Sequence, residues 1–147
     1  MPGTILIGYD DTAPSRRALA LAAEEAGRSG DRLAVLAVLE MPLDPDAPRN
    51  FGTAGDFTDE PQVRVEPEGV KEVLASARER LGAAGDRAEY LWAAGDPSVR
   101  IVAAAKELDA RLILLGAHHH SLLARLLGTD VTEDVRRRVG CEVLVVE

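Results

Sequence analysis

Apolar residues fall along this chain in two alternating rhythms. Short unbroken runs rich in β-branched residues occur at Thr4-Ile5-Leu6-Ile7-Gly8-Tyr9, Leu33–Leu39, Leu112–Leu115 and Val143–Val146. Runs of that length without polar interruption predict strands buried on both faces. A shorter and more mixed run, Ala88-Glu89-Tyr90-Leu91-Trp92, predicts a strand nearer a sheet edge. Between the runs the apolar positions recur at helical spacing. Ala18, Leu19, Ala22, Ala23 and Ala26 mark a helix over 15–29; Val70, Val73, Leu74, Ala77 and Leu81 mark one opened by Pro67; Ile101, Ala104, Ala105 and Leu108 mark a third. A fourth runs from Thr132 to Val139.

The punctuation agrees with these bounds. Thr12 or Asp11 can cap the first helix, with Pro14 in its first turn and Gly30 after its end. Gly82 and Gly85 close the second. Gly95-Asp96-Pro97 places a capping carboxylate and a first-turn proline before the third, and Asp130 with Glu133 resembles a capping box before the last. The order is β-α-β, a long connection, then α-β-α-β-α-β. Strands alternating with helices predict one α/β domain with a five-stranded parallel open sheet, doubly wound and Rossmann-like, with helices on both faces. The connection from Glu40 to Val65 holds six Pro and Gly residues among aspartates, and reads as a solvated loop or a flap.

In such sheets ligands bind outside the carboxyl ends of the strands, where the strand order reverses. That switch point falls between the first and fourth strands, with Asp10 and Gly116 ending them. Gly116 also begins the stretch Ala117-His118-His119-His120 to Val131. A strand, a glycine, a loop and a helix start suit an anion, because helix amino ends carry unpaired N–H groups and partial positive charge.

Composition narrows the partners. The 147 residues suffice for one domain with a real core, and with aromatics at 3% that core is built from Ala, Val, Leu and Ile. Twenty-five acidic against 17 basic residues give a net charge of −8, which argues against nucleic acid as a partner. The lone Cys141 permits no internal disulfide and fits a reducing cytoplasm; opening an apolar strand, it reads as a buried structural thiol. No leader-like segment and no apolar run of membrane-spanning length is present, so no membrane partner is expected. Three adjacent histidines point to different sides and lack acidic or cysteine partners at ligand spacing, so they read as loop residues rather than a metal site. Asp10 and Asp11 could form an acid/base or magnesium pair, though helix capping accounts for one of them. Ser15 and Ser121 have no base arrangement, so no catalytic residue is assigned. Arg16 and Arg17, near a positive helix end, are either solvated or face an anion or carboxylate.

Three segments in this order resemble the universal stress protein family across essentially the whole chain. They are Ile5-Leu6-Ile7-Gly8-Tyr9-Asp10; Gly95-Asp96-Pro97 with Ile101 and then Asp109 to Gly116; and Leu127 to Val135 leading to Cys141–Val146. The resemblance implies strand order 3-2-1-4-5, a fold like the adenine nucleotide alpha hydrolases, a homodimer through the last strand (Val143, Leu144, Val145, Val146), and a role in stress response. Some members bind ATP, with magnesium when it is bound, and others do not. For binders the resemblance implies a site at Asp10, Val38, Leu115, Gly116, His118, His119, Gly128, Thr129, Asp130 and Val131. Here the pattern is degenerate. His119 replaces the second glycine of a Gly-x-x-Gly, and Gly128-Thr129 comes one residue early. Histidine adds a Cβ where glycine would let the backbone approach a phosphate. Asp130 would repel one, by roughly 4 kcal/mol for unit charges 4 Å apart at an effective dielectric of 20. His118, His119 or Arg125 could restore some charge. Three functions follow: an ATP-binding dimeric regulator, a nucleotide-free interaction module, or a slow ATP hydrolase.

Overall fold

The computed structural model describes residues 3–40, 68–117 and 131–147. Its elements are β1 (Thr4–Gly8), α1 (Ala13–Ser29), β2 (Arg32–Glu40), α2 (Glu68–Leu81), a 3-10 turn (Gly82–Asp86), β3 (Glu89–Gly95), α3 (Pro97–Glu107), β4 (Ala110–Gly116), α4 (Val131–Arg138) and β5 (Glu142–Val146). The strands form one parallel sheet in the order β3-β2-β1-β4-β5. This is the expected architecture, with β3 at one edge and β5 at the other. The loop expected over 40–65 falls, beyond Glu40, outside the described residues, as does Pro67.

Alternation along the central strands divides the core. Ile5, Ile7, Leu33, Val35, Leu112 and Leu114 face α1 and α2, where they meet Ala18, Leu19, Ala22, Val70, Leu74 and Ala77. Leu6, Ala34, Leu36, Ile113, Leu115 and Val143 face α3 and α4, where they meet Ile101, Val102, Ala104, Ala105 and Val135. Full burial of a branched side chain contributes about 1.5–3 kcal/mol, so the two layers together drive folding. Alanines on the helices let them lie close to the sheet, which is how a core almost without aromatics still packs.

The ends behave as their residues dictate. Thr12 caps α1, its hydroxyl accepting from Ser15 N at 3.4 Å, with Pro14 in the first turn and Gly30 in the left-handed conformation after it. Asp96 caps α3, accepting from Ser98 N at 2.9 Å and Val99 N at 3.3 Å. Burial alone would raise the Asp96 pKa, but the donors from Ser98 and Val99 outweigh it and hold it below the ordinary value. The third strand is longer than its apolar run suggests. Ala93 and Ala94 pair with Val38 and Leu39, so pairing continues to Gly95 after the large side chains stop. Cys141 precedes β5 half-buried rather than fully inside, and burial raises its pKa.

At the amino-terminal edge of the sheet, charges tie three elements together. Asp31 accepts from Gly3 N at 2.7 Å, from Ser29 Oγ at 2.8 Å and from Arg111 Nε. Arg111 also reaches Glu25 at 3.1 Å. This clasp joins the end of α1, the start of β2 and the start of β4, at the edge away from the switch point.

Candidate functional site

The opposite edge is where the site residues gather. Gly8 pairs with Leu36 on one side and with Leu115 on the other, so β1 ends between β2 and β4. Tyr9 donates a last ladder bond to Leu36 O at 2.9 Å, and the chain then turns into α1. Asp10 therefore sits at the carboxyl end of β1, flanked by Val38 of β2 and by Leu115 and Gly116 of β4. Strand groups alternate in direction every residue. The Leu36 carbonyl points at β1, so the N–H and C=O of Val38, two residues on, point into the gap beyond the end of β1. A gap bordered by a main-chain donor and acceptor suits a planar heterocycle that carries both.

Asp10 is organised by its own turn. Its Oδ1 accepts from Thr12 N at 3.1 Å and from Thr12 Oγ1 at 2.6 Å, while its N–H reaches Ser15 Oγ at 3.4 Å. Such an aspartate turn fixes the chain at the strand end before the helix begins. Gly116 is fixed by packing. A Cβ on it would stand 2.5 Å from Ser15 N, 2.8 Å from Pro14 C and 2.9 Å from Ser15 Cα. No side chain fits there, so the end of β4 lies directly against the first turn of α1. Glycine at 116 thus has an architectural reason independent of any phosphate.

Asp10 and Asp11 do not converge. Asp11 adopts φ 62°, a left-handed conformation that aspartate tolerates better than most residues, and its carboxylate turns toward α2. There its Oδ1 accepts from the Tyr9 hydroxyl at 2.8 Å, Ser76 Oγ at 2.8 Å and Arg16 Nε at 3.0 Å. Arg80 stands 3.9 Å away. The Arg16 and Ser76 bonds hold its pKa down at about 2, against the smaller opposing effect of burial. Burial raises the Tyr9 phenol pKa. The question raised by Arg16 is therefore settled: it faces a carboxylate. Arg17 donates to the main-chain oxygen of Glu147 at 2.6 Å. The sequence offered Asp11 as a cap or half of a metal pair. Its link to Ser76, 65 positions away, carries no sequence signature.

Of the expected site residues, Asp10, Val38, Leu115 and Gly116 border one edge, and Val131 opens α4. His118, His119, Gly128, Thr129 and Asp130 lie outside the described residues, as do His120, Ser121, Arg125 and the leucines between. Among the described residues no group of three His, Cys, Asp or Glu side chains could hold a metal ion, and no helix is long and apolar enough to cross a membrane.

The profile of the universal stress protein family matches residues 1–147. The chain belongs to the universal stress protein family. A curated relative, universal stress protein YxiE from Bacillus subtilis (strain 168), is 34% identical over 90 residues, or 61% of this chain. The matched stretch spans 60% of that relative's own length. Among solved structures, a universal stress protein in complex with cAMP has 25% identity and a TM-score of 0.71, covering 99% of this chain and 96% of that one. The universal stress protein from Archaeoglobus fulgidus in complex with dAMP has 22% identity and a TM-score of 0.60, covering 100% and 98%. UspA from Lactobacillus plantarum, at 19% identity and a TM-score of 0.70 over 99% of this chain, shares the fold. The universal stress protein sheet order, helices on both faces and switch point at β1 and β4 are all present here.

Proposed function

We propose that this universal stress protein acts by binding an adenine nucleotide in the gap beyond β1, as a homodimeric regulator whose output is occupancy rather than turnover. One observation carries the reading. Past the last ladder pairs of β1, Gly8 with Leu36 and Leu115, β2 continues through Val38 and β4 through Gly116, with Asp10 following the end of β1. The cAMP-bound relative, of the same fold and length, supports it. The residues fit a nucleoside: main-chain donor and acceptor for a base, and a carboxylate near the strand end for ribose hydroxyls. ATP is the form the family resemblance favours, with magnesium neutralising part of its charge. Asp10 and Val38 would hold the adenosine end, and the glycine-rich pattern that begins at Gly116 and runs to Val131 the phosphates. The sequence assigns no general base and no nucleophile, so the reading is of binding rather than turnover.

The test is direct. The purified protein is denatured and its supernatant examined for co-purified nucleotide; AMP, cAMP and ATP with magnesium are then titrated by calorimetry. Binding that weakens at least tenfold in Asp10→Ala supports the reading. No nucleotide and no heat at millimolar ligand would leave the nucleotide-free interaction module as the better account. Steady phosphate release abolished by Asp10→Ala would favour the hydrolase instead.

A further inference from the structure

Asp11 directly follows the strand-end carboxylate and holds a conformation that needs support. Its φ of 62° lies in the left-handed region, which aspartate tolerates but which is costly for any residue with a Cβ. Such a residue persists only where its surroundings hold it, and backbone strain of this kind gathers beside functional sites. Here the surroundings are rigid. Asp11 Oδ1 accepts from the Tyr9 hydroxyl, from Ser76 Oγ and from Arg16 Nε. Tyr9 is 2% exposed and belongs to the core layer between the sheet and the helices α1 and α2. Ser76 is followed by Ala77, which is fully buried in the same layer. Two of the three anchors are therefore mounted on the core.

The tether bears on Asp10 through the backbone. Peptide units are planar, so φ and ψ at residue 11 set where Thr12 stands relative to Asp10. Thr12 supplies two donors to Asp10 Oδ1, its N–H at 3.1 Å and its hydroxyl at 2.6 Å. The left-handed turn at Asp11 is thus what lets the Asp10 carboxylate fold back onto Thr12. The bonds from Asp10 to Thr12 and Ser15 span two and five positions and tie it to the first turn of α1. The bond from Ser76 to Asp11 spans 65 positions and ties the same turn to α2.

We infer that Asp11 is a positioning residue for nucleotide recognition, holding the turn against α2 so that the Asp10 carboxylate is aimed at the ribose hydroxyls before a ligand arrives. The inference rests on the nucleotide reading above, in which that carboxylate meets the ribose. Asp11 acts through Asp10, because its own Oδ1 is taken up by Tyr9, Ser76 and Arg16. An acceptor fixed in advance loses less freedom when a hydroxyl reaches it, and binding is tighter for that reason.

AMP and its 2′,3′-dideoxy analogue differ only in the two ribose hydroxyls, so their affinity ratio isolates what Asp10 reads. Calorimetry on the full chain should show AMP binding more tightly by at least about tenfold, as expected of hydroxyls donating to a charged group. Asp11→Gly keeps the left-handed φ without strain and deletes the tether. It should lower the ratio by about 2- to 30-fold, the range for residues that couple to a site without contacting the ligand, by weakening AMP and leaving the analogue unmoved. Ser76→Ala removes one anchor from another helix and should shift the ratio the same way by a smaller factor. Asp11→Asn keeps an acceptor for Tyr9 and Ser76 and should retain most of the ratio. Thermal melts check that each variant is folded at the assay temperature. A purely structural role would weaken both ligands alike. That result, a ratio unmoved in folded Asp11→Gly, or equal binding of the two ligands to the parent would overturn the assignment and leave adenine-nucleotide binding standing. A parent that binds no adenine nucleotide would overturn both.

Discussion

Replacing Gly116 with alanine adds one methyl group at the tightest point of the switch region. Its Cβ would lie 2.5, 2.8 and 2.9 Å from Ser15 N, Pro14 C and Ser15 Cα. Carbon atoms rest at about 3.5–4.0 Å, so α1 or β4 must give way by about 1 Å. All three obstacles are backbone, and no rotamer change relieves them. Overpacking costs about 1–3 kcal/mol, and here the upper end, about 3 kcal/mol, is expected. For a domain of this size that lowers the melting temperature by about 6–12 °C. Gly27→Ala is the matched control. Gly27 lies within α1 with nothing inside 4 Å of its would-be Cβ, so alanine should stabilise by about 0.5–1 kcal/mol. Urea titrations followed by far-UV circular dichroism read both variants on one scale. A Gly116→Ala protein within about 0.5 kcal/mol of the parent would refute the close-contact argument.

Further expectations follow from the bonds described. Asp11→Asn should cost about 1 kcal/mol, since solvent screens a side chain 34% exposed. Asp11 ionises at about 2 when folded and near 3.8 when unfolded, so its contribution is complete above about pH 5. That contribution fades as pH falls through 4 toward 2, and urea midpoints of parent and variant should converge there. Asp96→Ala should cost about 1 kcal/mol by uncapping α3, with Asp96→Ser recovering most of the loss in the same titration. Leu144, 43% exposed on the edge strand β5, should carry the dimer contact. Leu144→Lys places a charge on both sides of a two-fold axis and should elute as a monomer on a sizing column; an unchanged dimer would refute pairing through β5.

The fold was legible because its signals are local and redundant. Short unbroken runs such as Leu33–Leu39, alternating with helical spacing, read as buried parallel strands, and Thr12, Asp96 and Pro97 mark helix starts by chemistry that needs no tertiary partner. The end of β3 was less legible, because Ala93 and Ala94 are held by ladder bonds that leave no mark on hydropathy. At the site, Asp10 and Gly116 could be placed as strand-end residues. What could not be read was why Gly116 is glycine, since the obstacle is the backbone of residues a hundred positions earlier. The anchorage of Asp11 was invisible for the same reason. A carboxylate held by Ser76 is a fact of packing with no characteristic spacing.

The abutment of Gly116 on Ser15 has a mechanical consequence. Just past it, Ala117 donates to Val146 O at 2.8 Å, and two residues along α1 Arg17 grips the main-chain oxygen of Glu147 at 2.6 Å. The turn that shapes the gap and the tail of the outermost strand are therefore braced against each other. A molecule that stiffens residues 10–17 must stiffen 142–147 as well, and slowed amide exchange in that tail would register occupancy from the far side of the brace.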